Sequence, residues 1–296
     1  MNLWLLYDDP DYAVNKDYAR LMAARGEERG LTIEPVLLSE LTLGMNAQGQ
    51  PTCLRGGQAA RPDAILSRQR DPFVSGHFEG MGIPVLNDSM VCMICNDKRE
   101  TYHLLTGLPM PRTWFLSPTQ TQPPPDTEFP VILKPACSHG GDRVLLVHDE
   151  AEWQAAAKAI LPEPALQQAV VSDAGKDLRV YVLNGKILAG VMRTAREGVV
   201  SNFKKGGHVA LHELTQEERE LAELVIDSFE SSGGQLMMAG IDLLYDHGHP
   251  VVGEVEDVVG SRMLYQTSDI DIVSLYLDEV KEYLEQHNDF LRYFSR

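Results

Sequence analysis

Residues 241–257, Ile-Asp-Leu-Leu-Tyr-Asp-His-Gly-His-Pro-Val-Val-Gly-Glu-Val-Glu-Asp, constrain this chain more than any other stretch. Two short apolar runs flank the turn-formers Asp246, Gly248 and Pro250, a pattern that predicts a β-hairpin. Side chains alternate across a strand, so Glu254 and Glu256 share a face. A turn centred on Gly248 sets Asp242 opposite Glu254. Three carboxylates then converge on one side of an otherwise apolar hairpin. Like charges across a ladder repel, and buried carboxylates are costly without compensation. A hard cation held by oxygen is the simplest compensation, and Mg²⁺ characteristically takes carboxylates together with substrate phosphates. The competing reading is a solvated hairpin edge with its acids in water, and the rest of the chain decides between them.

The 296 residues suffice for two or three compact units. With 43 acidic residues against 26 Lys and Arg, the formal charge is -17, which argues against partnership with nucleic acid or an anionic membrane. An anionic small-molecule site needs only a few local cations and is untouched by that argument. The N-terminus lacks a basic leader, its apolar run is too short for a signal peptide, and no apolar run is long enough to span a membrane. Cys92 and Cys95 form a Cys-x-x-Cys without a second pair at zinc-finger spacing. Their apolar neighbours predict buried free thiols in a reduced, cytoplasmic protein, with redox or metal chemistry as the alternative.

Taken in order, residues 3–7, 32–37, 64–67 and 82–86 predict strands, with a helix over 18–29 and a loose loop or small hairpin over 43–61. This pattern suggests a small open α/β unit, where Arg68 and Arg70 follow a strand end, the place such sheets expose to ligands. Two surface arginines are the alternative. Residues 90–105 read as helical and include Lys98, and 117–130 is a Pro-rich connection. Strands over 131–134, 144–147 and 165–171 with a helix over 150–160 suggest a second unit. Asn184-Gly185 between apolar runs is a strong hairpin signal, residues 215–230 carry a capped amphipathic helix, and 270–293 is a terminal helix. The expected units are 1–92, 93–171 and 172–296.

Lys134, at the end of an apolar strand and followed by Pro135, calls for an anion, and a phosphate would serve. The loop Cys137-Ser138-His139-Gly140-Gly141-Asp142-Arg143 could turn its amides toward phosphates as a nest, or be an ordinary turn. It matches neither the Walker nor the dinucleotide glycine pattern. His208, His212, His247 and His249 read as surface residues, while Tyr245 and Tyr265 could pack or border a pocket.

The order Asn96-Asp97-Lys98, Ile132-Leu133-Lys134-Pro135, the glycine-rich loop, Asp177-Leu178-Arg179, Ser201-Asn202-Phe203-Lys204-Lys205-Gly206-Gly207, Ala239-Gly240-Ile241-Asp242 and Glu254-x-Glu256 resembles the ATP-grasp superfamily, and within it the RimK-like amino-acid and peptide ligases. The resemblance covers residues 85–265. It implies an α/β ATP-grasp fold: an N-terminal open α/β domain, then two α+β units enclosing the nucleotide. It implies ATP and Mg²⁺ as cofactors, with Mn²⁺ an alternative metal. Lys98 and Lys134 would contact ATP phosphates, His139, Gly140 and Gly141 would close over them, and Gln167, Gln168, Ala169 and Val170 would line the adenine pocket. Arg179 would face the acylphosphate, Asn202 and Lys205 the phosphate and acceptor region, and Asp242, Glu254 and Glu256 would hold the metal.

Two departures stand out. The family's adenine segment commonly carries glutamate where this chain has Gln168, and its last metal position is commonly asparagine where this chain has Glu256. Arg262 is expected to compensate that added charge and to clamp a substrate carboxylate. The implied reaction is two-step: a carboxylate takes the γ-phosphoryl group of ATP, and an amine then displaces phosphate to form an amide. No serine or cysteine nucleophile is needed, Cys137 included. A kinase-like relative that stops after phosphoryl transfer and an ATP-binding module without turnover remain as alternatives. The substrate is expected to be an amino acid or peptide, with a protein terminus also open, and a homodimer is compatible with the family.

Overall fold

The computed structural model describes residues 1–141, 143–195 and 207–294, with side chains to residue 286. Strand β1 (Asn2–Tyr7) is buried along five of its six residues, as expected of a strand covered on both faces. Helix α1 (Asp9–Glu27) follows, its first turn capped by Asp8, and β2 (Thr32–Leu37) returns parallel to β1. The loop-or-hairpin segment is an antiparallel ribbon of β3 (Leu41–Met45), β4 (Pro51–Arg55) and β5 (Gln58–Ala59). Strand β6 (Ala64–Ser67), helix α2 (Pro72–Gly80) and β7 (Val85–Leu86) complete a parallel sheet ordered β2-β1-β6-β7. Sequence reading passes over α2, although Asp71 caps the Phe73 amide and Pro72 sits where a helix tolerates it best.

Helices α3 (Ser89–Asn96) and α4 (Lys98–Leu104) are separated by Asp97, which leaves α3 in an extended conformation and caps α4 with its own carboxylate. Next come β8 (Thr113–Leu116), β9 (Val131–Pro135), β10 (Leu145–Val147), α5 (Glu150–Ile160) and β11 (Ala165–Ala169). They build an antiparallel sheet ordered β10-β9-β11-β8, with Trp153, Ala157 and Ile160 of α5 in its core.

A five-stranded antiparallel sheet, β14-β13-β12-β15-β16, contains the hairpin from which the sequence reading starts. Its strands are β12 (Lys176–Leu183), β13 (Lys186–Thr194), β14 (His208–His212), β15 (Met238–Asp246) and β16 (His249–Glu256), with α6 (Gln216–Ser232) crossing between β14 and β15. Helices α7 (Arg262–Thr267) and α8 (Ile272–Phe294) end the described chain. Both hairpin turns hold two residues at positive φ: Asn184 at 47° with Gly185 at 68°, and His247 at 52° with Gly248 at 82°. That geometry matches the strand twist and allows a two-residue connection. Strands β8 and β14 and helix α7 are short elements without a sequence signal of their own.

Alternation divides the five-stranded sheet cleanly. Leu178, Val180, Val182, Ile241 and Leu243 face Leu221, Val225 and Phe229 of α6. On the opposite face, Tyr181, Leu183 and Met238 share a core with Leu3, Leu5 and Leu66 of the parallel sheet and with Val273, Leu277 and Val280 of α8. The last helix therefore packs beside the first sheet. Among the described residues no helix is long and apolar enough to cross a membrane.

One buried amide ties the parallel sheet to the five-stranded one. Asn87 Nδ2 donates to the Met238 and Asp257 carbonyls at 2.9 and 3.0 Å, and Asn87 Oδ1 accepts from the Met237 and Met238 amides at 2.7 and 3.3 Å. Truncating it leaves buried backbone groups unpaired. Asn87→Ala is expected to lower the unfolding free energy by roughly 2–4 kcal/mol. Denaturant titration checks this, and a loss within error of zero would show that water replaces the clamp.

Candidate active site

The predicted pairing of Asp242 with Glu254 is present, by a route the sequence does not reveal. The turn is centred between His247 and Gly248, so a regular ladder would set Asp242 opposite Gly253. Instead the register slips by one between Asp242 and Leu243, and Gly253 is the extra residue. This bulge brings Glu254 and Glu256 onto the face of Asp242. A side chain at Gly253 would meet Leu244 Cγ at 2.9 Å and the Asp242 carbonyl at 3.2 Å. The hairpin β12–β13 does the same: its register slips between Tyr181 and Val182, which sets Asp177 rather than Lys176 against Arg193.

Asp177 and Arg179, two apart on β12, thereby meet charged partners on both sides. Arg179 is directly opposite Asp242 and forks onto it, Nε to Oδ1 at 2.5 Å and Nη2 to Oδ2 at 2.6 Å, while Nη1 lies 2.8 Å from Glu256 Oε2. Arg193 donates to its cross-strand partner Asp177 through Nε and to Asp242 Oδ2 through Nη2 at 2.7 Å. Burial alone would raise the Asp242 pKa, but the Arg179 and Arg193 guanidiniums outweigh it and hold the carboxyl at about 2. Gly240, opposite Glu256, makes room for this: a Cβ there would lie 3.0 Å from Arg179 Cδ. Sequence reading missed Arg193, whose partners are visible only once the strand register is known.

Lys98 and Lys134 approach the same face from outside the sheet. Lys98, buried at the start of α4, lies 3.3 Å from Glu254 Oε1 and also donates to the Ser138 carbonyl. Lys134, buried at the end of β9, donates to Gln168 Oε1 at 2.9 Å. Burial pushes the Lys134 ammonium below the ordinary lysine range, and Glu254 partly restores it. Burial likewise raises the Glu254 carboxyl, against the pull of Lys98. Gln168 is a neutral partner, so it satisfies Lys134 without cancelling its charge. The exposed His139 loop sits over this region: reduced solvation, then the Arg70 charge, lowers the His139 pKa, and Asp11, Lys98 and Glu256 also act on it. Gly140 and Gly141 take φ of 65° and 72°, which only a loop rich in glycine adopts readily.

The other expected site residues are placed as follows. Among the described residues no three Asp, Glu, His or Cys side chains gather closely enough to hold a metal ion. Asp242, Glu254 and Glu256 share a face, but each is turned to a cation of the protein rather than to a common centre. Gln167 points away from the lysines. Its amide accepts from Trp153 Nε1 at 2.7 Å and donates to Thr127 Oγ1 at 2.9 Å, bracing α5. The backbone of Gln167, Gln168 and Ala169 belongs to the ladder with β9, which leaves Val170 as the first residue past it. Arg262 is exposed at the start of α7, and the charge of Glu256 is met by Arg179 instead. Arg68 is engaged structurally, with its guanidinium 4.8 Å from the Tyr18 ring centroid and a hydrogen bond to the Val259 carbonyl, while Arg70 pairs with Asp11. Asn202 and Lys205 lie outside the described residues.

Because the bulge alone sets the face of Glu254, its glycine is open to a direct test. Gly253→Val is expected to cost about 1–3 kcal/mol of stability through overpacking. The same variant should disrupt the Lys98–Glu254 contact. Thermal unfolding and a crystal structure check both, and an unshifted melting temperature with β16 in its original register would refute the argument.

Comparisons with known proteins bear on the family and the fold. The family model described as the RimK-like ATP-grasp domain matches residues 118–280. A probable alpha-L-glutamate ligase of Parasynechococcus marenigrum (strain WH8102) is 29% identical over 309 residues, covering 96% of this chain and 62% of the relative. This chain thus spans less than two thirds of that relative. A probable alpha-L-glutamate ligase of Hydrogenovibrio crunogenus (strain DSM 25203 / XCL-2) is 32% identical over 284 residues, covering 91% of this chain and 93% of the relative. The crystal structure of D-alanine–D-alanine ligase from Bacillus anthracis complexed with ATP superposes with a TM-score of 0.72 at 17% identity, covering 97% of this chain and 98% of that one. Matching fold, matched residues and the charged face of the five-stranded sheet lead to one conclusion: this chain belongs to the RimK-like ATP-grasp family.

Proposed function

We propose that the chain is an ATP-dependent carboxylate–amine ligase acting on an amino acid or peptide. The observation that carries this reading is the gathering of Lys98, Lys134 and Arg179 with Asp242, Glu254 and Glu256 on one sheet face. The relatives named as glutamate ligases make glutamate the first amino acid to try. In this reading residues 1–92, 93–171 and 172–296 form the three walls of the site. Lys98 and Lys134 hold the phosphates of ATP beneath the His139-Gly140-Gly141 loop, and Val170 with the end of β11 borders the base. Arg179 lies next to the transferring phosphoryl group and, later, the acylphosphate. Asp242, Glu254 and Glu256 offer only hard oxygen donors, which suit Mg²⁺ and also Mn²⁺. Such an ion, when bound, neutralises charge on the phosphates.

The substrate carboxylate attacks the γ-phosphorus and ADP leaves. An amine then attacks the acyl carbon, phosphate leaves, and the amine proton passes to solvent or phosphate. Nothing in these steps needs a protein nucleophile, so the side chains act by position and charge. The exposed Cys137 has no part in them, and Cys92 and Cys95 are buried free thiols, as their apolar setting predicts.

The test is ADP release from Mg·ATP across pools of amino acids and dipeptides, with mass spectrometry of each active pool. ADP together with a condensed product supports the ligase. ADP with a phosphorylated but uncondensed product would mean a kinase-like enzyme, and nucleotide binding without ADP in any pool a binding module. Lys134→Ala is expected to lower turnover about 100-fold, the usual scale for removing one charge-stabilising donor.

Lys134 also sets a pH dependence. Burial lowers its pKa, so its cation is lost at a lower pH than that of an ordinary lysine. ADP affinity should therefore fall through that alkaline window. Lys134→Arg, whose charge does not titrate there, should remove the fall. Calorimetry from pH 7 upward checks this, and an identical alkaline decline in both proteins would assign it to another group.

A further inference from the structure

A one-way chain of hydrogen bonds joins the phosphate lysine to the carboxylate hairpin through a residue that has no role in the scheme above. Lys134 Nζ donates to Gln168 Oε1 at 2.9 Å, Gln168 Nε2 donates to Tyr102 Oη at 2.7 Å, and Tyr102 Oη donates to the Gly253 carbonyl at 2.9 Å. Chemistry forces the direction. An ammonium can only donate, so Gln168 turns its oxygen to Lys134 and its nitrogen to Tyr102 and to Thr113 Oγ1, 3.0 Å away. Tyr102 therefore accepts from Gln168, and its single proton must go to Gly253.

Every link is shielded from water. Tyr102, Gln168 and Lys134 are all buried, and the Tyr102 ring packs with Ala136 and Leu166. Burial also pushes the Tyr102 hydroxyl up to about 12, so it keeps its proton at neutral pH. The far end of the chain is the bulge residue that decides which face Glu254 occupies. Lys98, one helical turn before Tyr102 on α4, reaches Glu254 itself. Two side chains on one helix face thus grip adjacent residues of β16, and one of them also reaches back to Lys134.

We propose that Tyr102 is a positioning residue of the site: its hydroxyl fixes the spacing between the Lys134 ammonium and the Glu254 carboxylate by tying β11 to the bulge of β16. The proposal rests on the ATP reading above. Tyr102→Phe keeps the ring and its packing and removes only the hydroxyl. Titration calorimetry with ADP, and with Mn²⁺ in the presence of ADP, reads the two ends of the chain separately.

The expected result for Tyr102→Phe is a loss of roughly fivefold in both affinities, the scale of one buried hydrogen bond. Gln168→Met cuts the chain one link earlier and should weaken ADP similarly. The double variant should be no weaker than the poorer single, because both cut one path. Full wild-type affinities in Tyr102→Phe, whatever its melting temperature, would reduce the hydroxyl to a structural role and overturn the proposal. So would additive losses in the double variant. A wild-type protein that binds neither ADP nor Mn²⁺ with ADP overturns the ATP reading and this proposal together. Wild-type binding that Tyr102→Phe leaves intact overturns only the role of Tyr102.

Discussion

The cross-strand pair Arg179–Asp242 is the contact on which the rest of the site depends. Both residues are almost completely buried, and a buried ion pair survives only if its geometry is good and its remaining hydrogen-bonding positions are filled. Here the fork between Nε, Nη2 and both carboxylate oxygens supplies the geometry, while Arg193 and Glu256 fill the remaining positions. Removing one member would leave an uncompensated charge, at a typical cost of about 3–5 kcal/mol. An exposed pair such as Arg20–Asp17 contributes about 1 kcal/mol at most. The face is therefore cooperative, because Lys98, Arg179, Arg193 and the acids Asp177, Asp242, Glu254 and Glu256 are each held by at least one opposite charge, and Lys134 by the neutral Gln168.

That cooperation depends on two single-residue slips. In each hairpin the turn is tight and regular, and one extra residue, Leu188 in β13 or Gly253 in β16, advances the register. Without them Asp177 would oppose Met192 and Asp242 would oppose Gly253. Strand alternation would then leave these acids without their cross-strand arginine or glutamate neighbours. A bulge commonly re-aims side chains beside a functional site, and here two bulges re-aim facing halves of one site. Tyr102, through the Gly253 carbonyl, ties the second of them to α4.

What the sequence shows and what it hides follow from the same physics. Long-period signals survive in one dimension: the alternation over 241–257, the Asn184-Gly185 turn, the Thr215 cap and the apolar spacing of α6 are all where they are expected. The order of short motifs carries the family, because Lys98, Lys134, Arg179 and Asp242 are each legible from their neighbours. Side-chain direction is less legible, since it depends on the phase of a strand within a sheet. Gln167 and Gln168 differ only in that phase, yet one braces Trp153 and the other meets Lys134. Arg193 and Tyr102 have no local signal, because their partners are 16 to 151 residues away in the chain. His212, read as a surface residue, is half-buried against Glu218 at 2.8 Å, because the strand β14 turns back onto the first turn of α6. Arg262 follows Glu256 closely in the chain, yet it is Arg179 that reaches Glu256 across the sheet.

Charge counting explains why three convergent carboxylates are not gathered around a common centre. Four acids, Asp177, Asp242, Glu254 and Glu256, stand with four cations, Lys98, Lys134, Arg179 and Arg193, so the cluster of described side chains is formally neutral. A pair of unit charges near 4 Å attracts by roughly 4 kcal/mol at an effective dielectric constant of 20, enough to turn each carboxylate to its nearest cation. An anionic nucleotide brought alone to this face would compete with the acids for the same lysines and arginines. A nucleotide accompanied by a divalent cation would not, because the acids gain a partner as the basic residues change theirs. The neutral amide of Gln168 fits this balance: a carboxylate there would pair with Lys134 and leave the face one cation short. In the proposed reading, neutrality of these described side chains, rather than excess positive charge, would let an acidic chain receive a phosphate together with its cation.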